Sequence, residues 1–431
     1  MIIDIEKIVF PAFGFGRDKN SRPIFVYRGL PGDQLEVEIL KDKKSYAYAK
    51  IKKIIRSSNL RIEPKCPHFD TCGGCDFQNL SYQNQLTIKE DMFLEILNRA
   101  KIDIKPEKII AGSCNSFFYR NSIRFFFTQN ENKKTSFARH HFLEKILIPI
   151  NSCLLQSEAV NEILSNLKKY INNNFRDKDF FWQVKIREGK FTGNIMVEII
   201  TTSDELPNKE GIIASLTKTE GLSSIYHTIA PGKSLKNLHR HLIFGSPIIF
   251  EKIGSYKFQI SPESFFQTNS SAVKTLYDQI KIMSEIKIGD TILDLYSGTG
   301  SIGIYLSTLA KKILAVELVP EAILDAKDNT KLNKIHNIEF YHSDVLAFLN
   351  SKGNRSDILI VDPPRAGLDK DVIKHLSKFK SKRVIYISCN PPTFARDIKI
   401  FENYGLKLIK VQPIDVFPQT HHLECIGVIH K

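Results

Sequence analysis

The stretch TILDLYSGTGSIG, residues 291–303, decides the fold of this chain. An apolar strand runs directly into a Gly-x-Gly-x-x-Gly turn, of which Gly298 and Gly300 are the first two glycines, and the turn opens a helical segment. Glycines at these positions allow a tight turn and let a ligand approach the backbone closely. Nineteen residues after Gly298, the next strand ends at Glu317, where a carboxylate can accept hydrogen bonds from both ribose hydroxyls. The pattern predicts a site for an adenosine-containing cofactor.

The same alternation of strands and helices continues on both sides of this turn, from about residue 271 to residue 431. The predicted strands are TILDLY, KILAVEL, IEFYHSD, DILIVDPP, RVIYISC, LKLIKVQPID and HLECIGVIH. This rhythm predicts a doubly wound, Rossmann-like α/β domain with a parallel sheet. Ligands of such folds bind at the carboxyl ends of the strands, so the residues that follow each strand are the candidate site.

The glycine turn alone fits either a nicotinamide cofactor or S-adenosylmethionine, and the other strand ends favour the second. Asp344 follows the third strand, where it could meet an adenine amino group. The fourth strand ends in Asp362-Pro-Pro-Arg365, a loop that a nucleotide methyltransferase would place between the methyl donor and the target base. A dehydrogenase has no obvious use for this loop.

Cys389 lies at the tip of the strand RVIYIS, followed by Asn-Pro-Pro, which ends the strand and fixes a turn. C5 of uracil is too weak a nucleophile to attack a methyl sulfonium, whereas a thiolate that adds to C6 makes C5 carbanion-like. A base must later remove the proton on C5, and Glu424, at the start of the last strand, is the candidate. Arg365 is the nearest cation that could activate the thiol.

Two further regions precede the α/β domain. Residues 1–57 contain four or five short strands broken by turns, which predict a small β-barrel of the oligonucleotide-binding kind, with a purely structural barrel as the alternative. Residues 58–270 predict a central α+β domain with helices at 82–99 and 157–173; the first of these helices could instead pack on the catalytic domain.

Cys66, Cys72, Cys75 and the distant Cys153 offer four thiolates. Four-coordinate zinc and a [4Fe–4S] cluster both take four such ligands. Zinc ribbons usually show two paired C-x2-C knuckles, and this chain has one pair, one outlier and one distant cysteine, so the spacing favours the cluster.

Composition limits the class of protein. Lys and Arg exceed Asp and Glu, giving a net charge of +14, which favours a polyanionic partner. The first residues lack the basic start of a signal peptide, and the sequence has no apolar run of about 18 residues, so we expect no membrane-spanning helix. We expect a cytoplasmic protein, most simply a monomer.

The motifs resemble those of the iron–sulfur-containing bacterial RNA uracil-C5-methyltransferases, particularly the enzymes that act on 23S ribosomal RNA. The likeness covers nearly the whole chain and rests on these segments: CPHFDTCGGCDFQNL with Cys153, Tyr119-Arg120-Asn121, SPESFFQTN (261–269), DLYSGTGS, DPPRAG, SCNP and HHLEC. Ser297 stands where many relatives have Cys, and Ser301 where many have an Asn that contacts the donor.

The resemblance implies specific roles. The N-terminal barrel would be a TRAM domain that binds RNA, and the four cysteines would hold the cluster. Cys389 would be the nucleophile and Glu424 the base. The remaining candidates fall into two sets. Donor contacts are Gln267, Tyr296, Gly298, Gly300, Ser301, Glu317, Asp344 and Asp362, and residues that position RNA or its target base are Phe265, Arg365, Arg120 and Asn121.

Two rival functions remain at this point. The same reaction on the T-loop uridine of tRNA is the alternative within the enzyme class. A non-catalytic RNA chaperone is the alternative from another class, and the presence of both Cys389 and Glu424 argues against it.

Overall fold

The computed structural model describes residues 1–130, 132–176, 178–351 and 355–430. The strands are β1 (Ile2–Val9), β2 (Phe13–Arg17), β3 (Pro23–Tyr27), β4 (Gln34–Lys43), β5 (Tyr46–Arg56), β6 (Ile110–Ala111), β7 (Ser122–Gln129), β8 (Thr135–His140), β9 (Leu147–Ile150), β10 (Phe181–Glu188), β11 (Ile195–Thr201), β12 (Leu222–Ile229), β13 (His239–Gly245), β14 (Ile249–Ile253), β15 (Tyr256–Ile260), β16 (Thr291–Leu295), β17 (Lys312–Glu317), β18 (Ile338–His342), β19 (Ile358–Val361), β20 (Arg383–Ser388), β21 (Lys407–Asp415) and β22 (Glu424–His430). The helices are α1 (Tyr82–Arg99), α2 (Glu158–Asn174), α3 (Lys209–Leu216), α4 (Ser270–Ser284), α5 (Ser301–Leu306), α6 (Pro320–Leu332), α7 (Val345–Ser351), α8 (Lys370–Lys378) and α9 (Pro391–Asn403), with 3₁₀ turns at Pro231–Lys233 and Ser307–Leu309.

The predicted α/β domain is built on an eight-stranded sheet in the order β18-β17-β16-β19-β20-β22-β21-β6. The strands from β18 to β20 run parallel, and β22 is antiparallel to β20. All four residues of β19 are buried, as expected for a strand with apolar layers on both faces. The strand order reverses between β16 and β19, so the crevice at their carboxyl ends is the expected ligand site.

The N-terminal strands β1 to β5 close into a barrel in the order β1-β2-β3-β5-β4. Its interior is filled by the alternating apolar residues of those strands, including Ile3, Ile24, Val26, Leu35 and Ala49. The predicted small barrel is confirmed.

The middle of the chain forms a seven-stranded sheet, β13-β12-β11-β10-β7-β8-β9. Helix α2 covers it with Val160, Ile163 and Leu167, which point into the same apolar core as Val184 and Val197 of the sheet. The predicted α+β region is therefore present, and its helix begins one residue later than the sequence indicated.

Several segments that precede residue 271 pack on the α/β sheet. Strand β6 adds to the β21 edge, and Phe93 of α1 meets Phe394 of α9 with ring centroids 6.2 Å apart. The hairpin β14–β15 contributes Phe258 to the core of the same domain. An uncovered edge strand is open to pairing with another chain, which gives a physical reason for the β6 addition. Because contacts cross residues 57 and 270, both boundaries stay predictions.

The barrel also shares an apolar contact with the cysteine-rich segment and with α1. Ile8 and Leu30 of the barrel are buried together with Phe77, Ile88 and Met92. These residues form a separate apolar cluster, which joins the barrel to the cysteine-rich segment and to α1. No helix within the described ranges has both the length and the apolar character needed to cross a membrane.

Candidate active site

The glycine turn leaves β16 with its backbone in the left-handed region at Tyr296, Gly298 and Gly300, where φ is +62°, +54° and +74°. A Cβ on Gly300 would lie 3.1 Å from the Cβ of Ala326, so both packing and conformation favour glycine there. A Cβ on Gly298 would meet no described heavy atom within 4 Å. The turn is closed on its protein side and open on the side where a ligand would lie.

Glu317, at the end of β17, is fixed by backbone donors. Its carboxylate accepts hydrogen bonds from the amides of Gly298 at 2.9 Å, Leu318 at 2.8 Å and Val319 at 2.9 Å. This places the acid beside the glycine turn, as the ribose prediction requires. Asp344 is exposed and accepts from the amide of Ala347 at 3.1 Å, so its side chain caps the start of α7.

Ser301, the first residue of α5, has its hydroxyl 2.6 Å from the hydroxyl of the buried Tyr277. Its side chain is therefore engaged within the protein. Tyr277 did not stand out in the sequence because a tyrosine in an amphipathic helix resembles an ordinary core residue.

The segment 261–269 is positioned by Asn121. The side-chain amide of Asn121 donates to the carbonyl of Gln267 at 2.8 Å and to the hydroxyl of Ser270 at 2.7 Å, and its backbone amide donates to Thr268 at 2.9 Å. Asn121 is buried, so the structure places it beneath this segment instead of on an RNA-facing surface. Phe265 of the same segment is 67% exposed, as a base-contacting ring would need to be.

The pairing of β20 with β22 brings the two predicted catalytic residues together. Ser388 faces Cys425 in the antiparallel register, so Cys389 and Glu424 are the next residues at the sheet edge. Glu424 is 5% exposed, and the Cys389 thiol is partly buried. Asp362 and Arg365, from the loop after β19, interact electrostatically with both.

Three carboxyl groups are buried along this edge, and burial raises the pKa of each. The pKa of Asp294 rises to about 8, that of Asp362 to about 7 and that of Glu424 to about 8, and Asp362 adds to the shifts of the other two. Neither oxygen of Asp294 has a hydrogen-bond partner of ordinary geometry within the described residues, although the Gly303 amide lies close enough to oppose part of its shift. No cation among the residues that the structure describes offsets the raised pKa of Asp294 or Asp362. Buried acids of this kind fit a cationic ligand, and S-adenosylmethionine carries a sulfonium and an ammonium group.

Arg365 is the cation that acts on the Cys389 thiol. Burial and the Glu424 carboxylate raise the pKa of Cys389 to about 11, and Arg365 lowers it. The guanidinium Nη2 is 2.7 Å from Nδ1 of His422. Burial lowers the pKa of His422 to about 3, so the ring is neutral and can accept this bond.

The four predicted ligand cysteines line one cavity between the cysteine-rich segment and the central sheet. Within the described part of the chain, no three His, Cys, Asp or Glu side chains are arranged to hold a single metal ion. Arg120 lines the same cavity, and its Nε donates to the Ser122 carbonyl at 3.1 Å. The structure thus places Arg120 beside the four cysteines, and its part in positioning RNA stays a prediction.

A family model described as tRNA (Uracil-5-)-methyltransferase matches residues 81–431, and one described as TRAM domain matches residues 2–52.

This chain belongs to the tRNA (uracil-5-)-methyltransferase family.

Its relatives agree with that assignment over the full chain. An uncharacterized RNA methyltransferase of Bacillus cereus ATCC 10987 is 36% identical over 95% of this chain and 92% of its own. One from Caldanaerobacter subterraneus is 33% identical over 100% and 98%. The crystal structure of Pyrococcus abyssi tRNA (uracil-54, C5)-methyltransferase with S-adenosyl-L-homocysteine covers 99% of both chains at 29% identity and a TM-score of 0.79.

The chain is therefore an S-adenosylmethionine-dependent RNA (uracil-C5)-methyltransferase with an N-terminal TRAM domain, as the sequence predicted. RNA is its partner class.

One buried ion pair near the site was missed from the sequence. Lys89 is fully buried, its ammonium is 2.6 Å from Asp415, and it also donates to the carbonyls of Phe417 and His422. The signal was present, because Lys89 lies three residues after Leu86 and four before Phe93 on the apolar stripe of α1.

Proposed function

We propose that this enzyme methylates C5 of a uridine in 23S ribosomal RNA, with Cys389 as the covalent nucleophile and Glu424 as the base. The β20–β22 register carries the proposal, since it puts the two side chains next to each other at the carboxyl edge of the sheet. The buried acids and the open glycine turn lie along the same edge.

The chemistry assigns each residue one task. The Cys389 thiolate adds to C6 of the uracil, and the electron pair of the C5–C6 double bond moves toward O4 as an enolate. S-adenosylmethionine supplies the electrophilic methyl carbon that C5 attacks and departs as S-adenosylhomocysteine. Glu424 then accepts the proton from C5, the enolate re-forms the C5–C6 double bond, and the C6–sulfur bond breaks to return the thiolate.

The donor would be held by Gln267, Tyr296, Gly298, Gly300, Ser301, Glu317, Asp344 and Asp362, with Glu317 toward the ribose and the buried acids toward the cationic end. A cation beside Asp362 and Glu424 opposes their mutual repulsion and lowers the pKa of Glu424 and of Cys389. Donor binding thereby favours both the ionised base and the thiolate, the two forms that the reaction requires.

The target uridine must expose C6 to Cys389, which a base within a paired stack does not do. We propose that the uridine lies in a loop and is flipped toward the sheet edge. The exposed ring of Phe265 and the guanidinium of Arg365 are the side chains proposed to hold the base or the gap that it leaves. The barrel and the excess positive charge would bind the surrounding RNA.

We further propose that Cys66, Cys72, Cys75 and Cys153 hold a [4Fe–4S] cluster. The support is the donor set, four thiols that line one cavity. The group would tie the segment 66–77 to the strand end at Cys153 as a structural clamp. Metal and sulfide analysis of the purified protein tests this, and about one zinc without iron would reject it.

A second substrate deserves direct comparison. The likeness to the Pyrococcus abyssi enzyme over 99% of both chains favours the T-loop uridine of tRNA, whereas the resemblance of the cysteine motif favours 23S rRNA. Methyl transfer from labelled donor to 23S rRNA fragments and to tRNA transcripts, each lacking modifications, decides between them. Label in tRNA alone would overturn the ribosomal proposal and leave the enzyme class intact.

A further inference from the structure

The segment that leads to Glu424 is held from outside the methyltransferase sheet. We call residues 416–423, which join β21 to β22, the catalytic loop, and residues 66–77 the cysteine loop. The catalytic loop receives hydrogen bonds from Tyr119, whose hydroxyl donates to the Pro418 carbonyl at 3.0 Å, and from the buried Lys89, which donates to His422 at 2.9 Å. Its conformation therefore depends on the preceding domain.

Asp76 makes the most direct connection between the two loops. The backbone amides of Asp76 and Phe77 both donate to the carbonyl of Gln419, at 2.8 and 3.0 Å. In return, one carboxylate oxygen of Asp76 accepts from the backbone amide of His421 at 2.9 Å and from its ring Nδ1 at 2.7 Å. Four hydrogen bonds thus fix residues 419–421 to the end of the cysteine loop.

The contacts continue from His421 to the nucleophile. The rings of His421 and His422 lie 4.2 Å apart, and His422 accepts from Arg365 at 2.7 Å. Arg365 in turn stabilises the thiolate of Cys389. A displacement of His421 would therefore be transmitted to the guanidinium that activates the nucleophile.

The other end of the connection is anchored at the cysteines. Asp76 directly follows Cys75. Arg28 of the barrel donates to the carbonyls of Cys72 at 3.0 Å and Cys75 at 3.3 Å, and its guanidinium lies 4.1 Å from the ring centre of Phe69 and 3.9 Å from that of Phe142. The cysteine loop is thereby held on the barrel side while Asp76 reaches the catalytic loop on the other.

We propose that Asp76 is a positioning residue that couples the cysteine loop to the catalytic loop, so that the order of the cysteine site sets the placement of Arg365 and Glu424. The proposal rests on the roles assigned above to Cys389 and Glu424. It gives the four-cysteine site a part in the reaction, through hydrogen bonds and without electron transfer.

The test compares the full-length, as-purified protein with Asp76→Ala, Asp76→Asn and, as a matched control, Asp70→Ala, which removes an exposed acid of the same loop. Amide hydrogen exchange of residues 416–423 measures the coupling without any substrate. The rate of covalent adduct formation on 23S rRNA fragments and tRNA containing 5-fluorouridine measures its effect on Cys389, because a C5 fluorine blocks the final proton removal. Iron content reports whether the four-cysteine site is intact, and S-adenosylhomocysteine affinity reports whether the donor site is intact.

We expect Asp76→Ala to speed exchange in the catalytic loop and to slow adduct formation about tenfold, because the lost hydrogen bonds to His421 no longer fix the loop that places Arg365 beside Cys389. Asp76→Asn, which keeps an acceptor oxygen, should restore much of the rate, and Asp70→Ala should match the parent in every measurement. Iron content and donor affinity should stay at the parent level in all three variants.

Unchanged exchange and unchanged adduct rate in Asp76→Ala would overturn the coupling. Parallel loss of iron, donor affinity and adduct rate in Asp76→Asn would also overturn it, since Asp76 would then support the whole fold. If the parent forms no adduct with either RNA, the proposed function fails, and the exchange comparison still decides whether Asp76 orders the catalytic loop.

Discussion

Cys389 lies in surroundings that oppose the thiolate needed for C6 addition. Burial and Glu424 raise its pKa to about 11, and Arg365 acts in the other direction. Burial and Asp362 raise the pKa of Glu424 to about 8, and Arg365 lowers this pKa as well. At the scale of single residues, one guanidinium therefore favours the ionised forms of both catalytic groups.

Replacing Cys389 with serine should reduce 5-methyluridine formation by at least roughly a thousandfold, because an alkoxide is far less available than a thiolate as the attacking group. S-adenosylhomocysteine affinity should persist, since none of the proposed donor contacts lies on β20 or in the turn after it. Calorimetry and nucleoside analysis measure the two effects. Cys114→Ser, at an exposed cysteine, is the control, and normal yield from Cys389→Ser would reject the nucleophile.

Arg365→Gln should move the ascending limb of the pH profile of kcat/KM to higher pH, because the pKa of Cys389 and that of Glu424 both rise when the cation is removed. Arg383→Gln is a control at the opposite end of β20, where Arg383 pairs with Glu285 at 2.5 Å. A pH profile that keeps its position in Arg365→Gln while its height falls would show that Arg365 contributes through packing alone.

At the scale of elements, the barrel presents a face of neighbouring aromatic rings. Phe13, Phe25, Tyr46 and Tyr48 are partly exposed, and the ring centres of Phe25 and Tyr48 lie 5.5 Å apart. Phe25, Tyr46 and Tyr48 alternate with buried residues along β3 and β5, so these rings add to the outer surface without disturbing the interior. Such rings offer stacking surfaces for unpaired bases.

Tyr48→Ala should weaken RNA binding by about 1–3 kcal/mol, the typical value of one base–aromatic stack, and leave donor affinity unchanged. Ile55→Ala, at an exposed apolar position near the end of β5, is the matched control. Filter binding with the preferred RNA measures the difference. Equal RNA affinities for both variants would show that the barrel has a purely structural role, the alternative that its sequence left open.

The sequence predicted elements well where one local pattern determines them. TILDLY and the glycine turn gave β16 and α5, and Ser81 begins α1 by accepting from the Asn84 amide at 3.3 Å. It missed the addition of β6 to the α/β sheet, because a two-residue strand carries no periodic signal. Asn121 was expected near RNA because a motif identifies neighbours in sequence, whereas its burial depends on contacts with distant residues such as Gln267.

At the scale of the whole molecule, the buried acids make stability depend on pH. The folded-state pKa values of Asp294, Asp362 and Glu424 are about 8, 7 and 8, above their usual value of about 4. At pH values between the usual carboxyl pKa and these raised values, the folded protein holds protons that the unfolded chain has released. The free energy of unfolding therefore falls as pH rises through this interval. His422, with a pKa lowered to about 3, acts oppositely up to about pH 6.5.

The donor-free enzyme should therefore show a lower Tm at pH 8 than at pH 6.5. Asp294→Asn should flatten this dependence, because the amide has no proton to release. S-adenosylmethionine should raise Tm more at pH 8, where the ionised acids face its positive charge. Thermal unfolding at the two pH values measures all three effects. An equal slope in Asp294→Asn would show that this carboxyl does not contribute to the pH dependence.

The most direct test of the central claim uses Glu424→Gln, which retains the shape of the base and cannot accept the C5 proton. Incubated with S-adenosylmethionine and substrate RNA, this variant should accumulate a covalent complex that survives denaturation. After digestion with nuclease and protease, mass spectrometry should find a methylated uridine nucleotide on the peptide that contains Cys389. Full release of 5-methyluridine without such a complex, or attachment at another cysteine, would contradict the assignment of Cys389 and Glu424.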